Sequence, residues 1–443
     1  MSSRKCVAII GGGITGSTIL SELAKKKDIT IHLFDQGRRG VGGRTSSRKI
    51  ISEDGKSVMR FDHGCQFFRA DTPLVKEKIK EWLDMGIVKE WHGNFIAASD
   101  DDRNDFFGLP GSPPFYVGCN GMESITQIMV EKMNGSCKKV FTGTRVAEME
   151  RDDDTNKWKL YGTTGTCAFH DTPEDIVKMG NSRLVLGNDL GYDAVILTDV
   201  SSSFGKWHRA SAGVPESFGK RVRERVGARV PLMTAMIAFE SESRIPFDAA
   251  TFDNHTIWFA ARSNAKPGMD QDGMEECWTI VSTPEYAMQK IKEVPMQDAK
   301  SGDFIPQSPD YLSQVPGKDL PNAFAKEIIS KDGILGEEAL LSLPEIIYTD
   351  AQRWGSALPC HRHLDEDSPT RQILSGVPYD SGSSTLAPTK CEKDGDTFLK
   401  DDELMLYQAG DMMSSYTPGF ESAVISGIDV ARHVSKTLQI DEK

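Results

Sequence analysis

The chain has 443 residues, 38% of them hydrophobic and 26% charged, and carries a net charge of −13. This is the composition of a globular protein with a large core, and the acidic surplus argues against a nucleic-acid surface or an anionic membrane as partner. No apolar run approaches the ~18 residues of a membrane span. The eight cysteines (Cys6, Cys65, Cys119, Cys137, Cys167, Cys277, Cys360 and Cys391) form no CxxC. Neither a zinc site nor a dithiol couple is expected, and nothing demands a disulfide framework. The first strand begins by Cys6, which leaves no room for a targeting peptide, so a cytoplasmic protein is the expectation.

Lys5 to Phe34 reads strand, glycine turn, helix, strand. Val7 to Ile10 is a continuous apolar run, Leu20, Leu23 and Ala24 have helical spacing, and Ile29, Ile31 and Leu33 alternate. A second helix is expected over Thr72 to Trp91, with Val75, Ile79, Trp82 and Leu83 on one face. VGCNGMESITQIMVEKM predicts a glycine turn and then an amphipathic helix from Met122. Strands follow at Lys157 to Tyr161 and Asp193 to Leu197. From Ala228 to Thr283 the pattern is β-rich, with strands in PLMTAMIAFE, HTIWFAARS and ECWTIVST. Three stretches, Gly162 to Asp189, Met296 to Pro321 and Leu364 to Asp402, are rich in Asp, Ser, Pro, Lys or Gly and read as irregular surface. The end returns to strand and helix in LMLYQAGD and GFESAVISGIDVARHV, and no internal repeat is visible.

The opening VAIIGGGITGS carries the first chemistry. Gly11 permits a tight turn and Gly13 lets a pyrophosphate approach the backbone. Gly16 lets helix and strand pack closely, with Ile14 and Thr15 at the helix start. Asp35, followed by Gln36, ends the second strand and can accept hydrogen bonds from both ribose hydroxyls of a dinucleotide. At this point NAD and FAD both remain open. In GVGGRTSSR, Gly42 and Gly43 allow a close backbone approach and Arg44 supplies a cation for a pyrophosphate, whereas Arg38 and Arg39 read as a solvated loop. Near the end, Gly410 and Asp411 close a strand, with the carboxylate placed for a ribityl hydroxyl. The helix opening at Gly419 with Phe420, Glu421 and Ser422 would aim its positive end at an isoalloxazine. Three separate segments thus fit one FAD.

With FDHGCQFF, FYVGCNGMESI, WFAARSNAKPGM and AQRWGSALP added, the chain resembles a renalase-type flavoprotein within the flavin amine oxidase-like family, over residues 5 to 435. The resemblance implies an α/β fold: a Rossmann-like FAD domain from discontinuous segments (1–72, 115–205 and 340–443) and a smaller β-sheet substrate domain (73–114 and 206–339). It implies that Gly64, Cys65 and Gln66 line one flavin face, that Val146 reaches the adenine and that Trp354 packs near the isoalloxazine. Trp258 and the loop through Asn264 and Lys266 would look toward the substrate pocket, with Gln66 and Trp354 also near substrate.

Two departures bear on substrate. Val281 stands where relatives often carry histidine, and Met269 replaces the arginine of K-P-G-R. Hydride transfer to a flavin needs little from side chains, so no acid or base is nominated. The resemblance implies an oxidase that passes hydride from a reduced nicotinamide dinucleotide, with misreduced isomers among the candidates, to FAD and then to O₂. An amine oxidase is the rival reading, although Gly419 stands where a caging tyrosine is usual. An FAD-binding protein that has lost turnover is the third. His361 and His363 read as a surface pair rather than a metal site, and Cys360 as a free thiol. Small-molecule substrate and O₂ are the expected partners; oligomeric state is not legible.

Overall fold

The computed structural model describes residues 4–51, 55, 57–97, 114–132, 138–164, 184–200, 213–226, 229–269, 273–295, 305, 308–359, 397–414 and 419–440. Two six-stranded sheets dominate. The first runs, in spatial order, Phe398–Asp401, Leu406–Ala409, Ala194–Leu197, Lys5–Ile10, Ile29–Phe34 and Lys138–Phe141. All its pairings are parallel except the outermost, between Phe398–Asp401 and Leu406–Ala409.

Successive side chains of Lys5–Ile10 feed two cores, as the period-2 pleat requires. Val7 and Ile9 pack with Leu20, Leu23, Val430 and Val434 of the first helix (Ile14–Leu23) and the last (Phe420–Thr437). Cys6, Ala8 and Ile10 pack with Trp158, Leu160 and Tyr192 beneath a small antiparallel sheet built on Thr144–Asp152 and Lys157–Thr164. Burial on both faces explains the unbroken apolar run. The first and last helices cross at Gly427, where a Cβ would come within 3.0 Å of the Thr15 carbonyl oxygen.

The second sheet runs Ile346–Pro359, Arg229–Phe239, Glu276–Ser282, Ile257–Arg262, Ala249–Thr251 and Phe95–Ala97, antiparallel except for the last pair. Leu320, Phe324 and Ile328 of helix Pro316–Ile329 cover one face. A register shift between Ile257 and Phe259 lets Trp258 and Phe259 both join the core on the other face, with Val281 and Phe115. Ile346–Pro359, which the sequence partition groups with the first domain, is hydrogen-bonded to Arg229–Phe239 in this second sheet.

The expected strands at residues 157, 193, 228–283 and 406 and the helices from 122 and 420 are present. Four readings change. The helix expected over 72–91 is Pro73–Asp84; Gly86, at φ +66°, turns the chain, and Val88–Trp91 becomes a strand against Phe115–Gly118. The apolar residues simply continue across the break, which is why periodicity overran it. In the stretch 296–321, Pro309–Gln314 and Pro316–Ile329 are helices: Pro309 and Pro316 sit at first-turn positions, where proline is no breaker, and Pro321 is carried inside the second helix. Within 364–402, Phe398–Asp401 is an edge strand; in 162–189, the strand runs to Thr164 and Leu184–Val185 pairs with it. Residues 165–183, 296–304 and 360–396 lie outside the described residues, and with them Cys360, His361 and His363. Among the described residues no helix is long and apolar enough to cross a membrane.

Candidate functional site

The turn after the first strand is shaped by what its glycines lack. Gly11 has φ +104°, and a Cβ there would collide with Thr198 Oγ1; a Cβ on Gly16 would collide with the Gly11 carbonyl. Asp35 is drawn against this turn, accepting from the Gly12 N–H at 2.6 Å and the Gly37 N–H at 2.6 Å. Burial raises the pKa of its carboxyl, with those two N–H groups pulling the other way. Thr144 N–H donates to the Asp35 carbonyl at 2.9 Å, which brings the buried Val146 alongside, whereas Gln36 is exposed.

Gly42 and Gly43 face the turn. Gly43 has φ +57°, and a Cβ there would lie 3.4 Å from the Gly13 Cα, so two stretches of bare backbone stand together. Arg44 leaves this element to fork onto Asp411, at 2.9 Å and 2.5 Å, and to donate to the Ala357 carbonyl at 3.0 Å. Burial works against the Arg44 charge, but the Asp411 carboxylate outweighs it and raises its pKa. Asp411 is only 3% exposed. Gly410 before it has φ +135° and donates its N–H to Ser426 Oγ at 2.8 Å. Residues 11–16, 42–44 and 410–411 therefore meet in one place.

Both helices that start here lack a side-chain cap: the N-cap residues are Gly13 and Gly419. The buried Phe420 stacks on Phe68 at 3.8 Å and meets Trp82 edge-on at 6.1 Å. Glu421 is engaged elsewhere, accepting from the N–H groups of Asp71 and Thr72 and from the Thr72 hydroxyl at 2.6 Å. It ties the last helix to the start of Pro73–Asp84. Ser422 is fully buried.

The FDHGCQ segment lies against this cradle. Cys65 N–H donates to the Arg44 carbonyl at 2.7 Å, and a Cβ on Gly64 would collide with that same oxygen. Burial pushes the Cys65 thiol up to about 12. Asp62, fully buried, accepts from Ser47 Oγ at 2.6 Å, Met122 N–H at 2.8 Å and Lys266 Nζ at 3.0 Å. Lys266 also donates to Gln66 Oε1 at 3.2 Å, and Gln66 Nε2 donates to the carbonyls of Asp62 and Gly64. Sequence reasoning placed Lys266 near substrate and passed over Asp62. Their pairing joins segments 204 residues apart, and the only local signal was a charge within the apolar context of FDHG.

The remaining named residues divide. Trp354 donates its indole N–H to the His63 carbonyl at 2.8 Å and stands 3.1 Å from a Cβ position on Gly64, against the cradle. Trp258 and Val281 are buried in the apolar cluster with Phe115 and Phe259. Asn264 does not project freely into a pocket: its Nδ2 donates to the Glu275 carbonyl at 3.0 Å and its Oδ1 accepts from Cys277 N–H at 2.7 Å. Both ends of the amide fasten its loop to the neighbouring strand. Met269 is 1% exposed, so an apolar side chain suits that position. Among the described residues no cluster has the makings of a metal site, and Cys6, Cys65, Cys119 and Cys277 are free thiols.

Residues 9–82 match the family of NAD(P)-binding Rossmann-like domains. The fold is shared along nearly the whole chain with reduced UDP-galactopyranose mutase, at 11% identity and a TM-score of 0.55, covering 98% of this chain and 94% of that one. An oxidoreductase from Methanosarcina mazei is similar at 9% identity and a TM-score of 0.52, covering 96% and 100%. No curated protein matches the sequence. At these identities the likeness is one of fold. The protein has a mixed α/β fold whose opening segment is similar to NAD(P)-binding Rossmann-like domains.

Proposed function

We propose that the protein is an FAD-dependent oxidoreductase that oxidises a reduced nicotinamide dinucleotide and returns its electrons to O₂ as H₂O₂. The observation that carries this reading is the Arg44–Asp411 fork beside two glycine backbones. The residues fit the cofactor. Gly11, Gly13 and Gly43 leave a cradle that side chains would narrow, and the first helix offers uncapped N–H groups to a pyrophosphate. FAD bound there supplies the hydride acceptor.

The chain's own part is holding and shielding. Asp35 receives the adenosine ribose, Arg44 neutralises phosphate charge and Asp411 presents acceptor capacity to ribityl hydroxyls. Gly64, Cys65 and Gln66 form a wall whose position Lys266 fixes through Gln66 and Asp62, and Trp354 backs it. The last helix, with Gly419 as its cap, directs unfilled N–H groups at developing negative charge. Residues 1–72, 115–205 and 340–443 are proposed as the cofactor unit, with Ile346–Pro359 shared with the substrate sheet.

A second reading, an amine oxidase, draws support from the ring cluster of Phe67, Trp91, Phe95, Phe115 and Phe259. Such a cluster suits an apolar slot for a neutral amine. Anaerobic mixing separates the two. Bleaching of bound flavin by dihydronicotinamide dinucleotides and not by amines is the expected result; the reverse selects the amine reading. A purified protein that retains no flavin overturns both.

A further inference from the structure

Arg39 and His63 take no part in the cradle, and the pattern of the sequence made Arg39 a solvated loop residue. The fold carries them to one place with Arg48. On Ile346–Pro359 the alternation of the pleat sets Tyr348, Asp350, Gln352 and Trp354 on one face. Arg48 crosses to this face, pairing with Asp350 through Nη1 and donating to Gln352 Oε1 at 3.3 Å through Nη2. Its Nε is buried and has no partner among the described residues. His63 is 7% exposed, its ring centre lies 5.4 Å from that of Trp354, and its Nδ1 is likewise buried without a partner.

Each of these two orphaned polar atoms costs desolvation that a hydrogen bond normally offsets, and they stand on neighbouring basic residues. Positive charge is in excess here. Arg39 and Arg48 both bear on His63, whose pKa falls from 6.5 to about 3 through burial and their repulsion, and Arg39 repels Arg48 as well. The facing carboxylates are Asp350, held by Arg48, and Glu123, which accepts from Ser47 N–H at 3.3 Å. Arg39 is exposed and forms no ion pair among the described residues. This is the arrangement of a site that receives an anion: a free cation, a half-occupied guanidinium, a neutral imidazole and a flat aromatic wall.

We infer that Arg39, Arg48 and His63, backed by Trp354, form a docking site for a phosphate group of the substrate. Trp354 joins this site to the cradle through Gly64, so a phosphorylated molecule held here lies beside the proposed flavin wall. The inference rests on the proposed function and deepens it, since it asks for a nucleotide rather than a neutral amine.

The test compares dihydronicotinamide dinucleotide with dihydronicotinamide riboside, which has no phosphate, as reductants of the flavin-loaded protein. In Arg39→Ala, and separately in Arg48→Gln, the half-saturating concentration of the dinucleotide should rise about tenfold or more, while that of the riboside stays within about twofold. Equal shifts for both reductants, or none for either, overturn the phosphate site. Should neither reductant bleach the wild-type flavin, the proposed reaction fails, and titration with inorganic pyrophosphate decides the site alone. Tryptophan fluorescence that responds in the flavin-loaded wild type and not in Arg39→Ala upholds it. Equal responses, or none in the wild type, overturn it. Circular dichroism and flavin retention of each variant, expected unchanged for the exposed Arg39, guard against misfolding.

Discussion

Three helices outside the cradle and the two assigned to it begin in opposite ways. Pro73–Asp84, Pro284–Glu293 and Pro309–Gln314 each open with a hydroxyl cap, Thr72, Thr283 and Ser308, and proline in the first turn. The first and last helices open on Gly13 and Gly419, with no cap bond. Pro316–Ile329 also lacks one, but it follows directly on the preceding helix. A helix N-terminus has four N–H groups to satisfy, and a hydroxyl cap is the local answer. Where the chain instead places glycine, at Gly13 and Gly419, no side chain takes up those donors. Position in the fold, not helix propensity, separates the two kinds.

The largest expected effect lies under the cradle. Lys266→Met would leave Asp62 buried with an uncompensated charge and cost about 3–5 kcal/mol in denaturant unfolding. Adding Asp62→Asn to that variant should restore part of the loss; a neutral Lys266→Met would remove the pairing argument. Gly16→Ala, whose Cβ collides with the Gly11 carbonyl, should cost about 3 kcal/mol and abolish flavin retention.

The contrast between caps has its own pair of variants. Thr283→Ala, at the cap of Pro284–Glu293, should cost about 1 kcal/mol and leave flavin affinity unchanged. Gly13→Ser should do the reverse. Its backbone lies at φ −71°, and a Cβ makes only ordinary contacts, with the Gly42 carbonyl oxygen at 3.7 Å and the Gly43 Cα at 4.0 Å, so stability should hold. The new hydroxyl would cap the helix and lower flavin affinity about tenfold. Flavin titration beside thermal melting reads both, and equal behaviour of the two variants would remove the distinction.

The smallest effect is on pH. His32 and His63 have pKa values lowered from 6.5 to about 4 and about 3, in both cases chiefly by burial. The unfolded chain binds more protons between those values and 6.5, so stability rises with pH through that window and is lost on acidification below about 6.5. His32→Phe should flatten part of the slope between pH 6.5 and 4, followed by denaturant midpoints; an unchanged slope would place the acid sensitivity elsewhere.

Much of the cradle was legible because its constraints are local. A glycine at positive φ, an apolar run buried on both faces and a carboxylate ending a strand each leave a mark within a few residues, and residues 11–16, 35 and 42–44 bear such marks. Asn264 and Glu421 show the limit. Both sit within recognisable motifs, yet Asn264 binds the backbone of its neighbouring strand and Glu421 serves the start of another helix, because either polar side chain takes whichever unpaired backbone groups packing brings near. Likewise, Gly86 was visible as a residue but not as a helix end, since apolar residues continue beyond it.

Sequence therefore determined the βαβ opening, the glycine turn and the identity of the charges, all properties of backbone sterics and short spacing. Tertiary structure decided which charges meet. Arg44 finds Asp411 and Asp62 finds Lys266 across long stretches of chain, because electrostatic partners are chosen by proximity in space and burial strengthens the pairs that result.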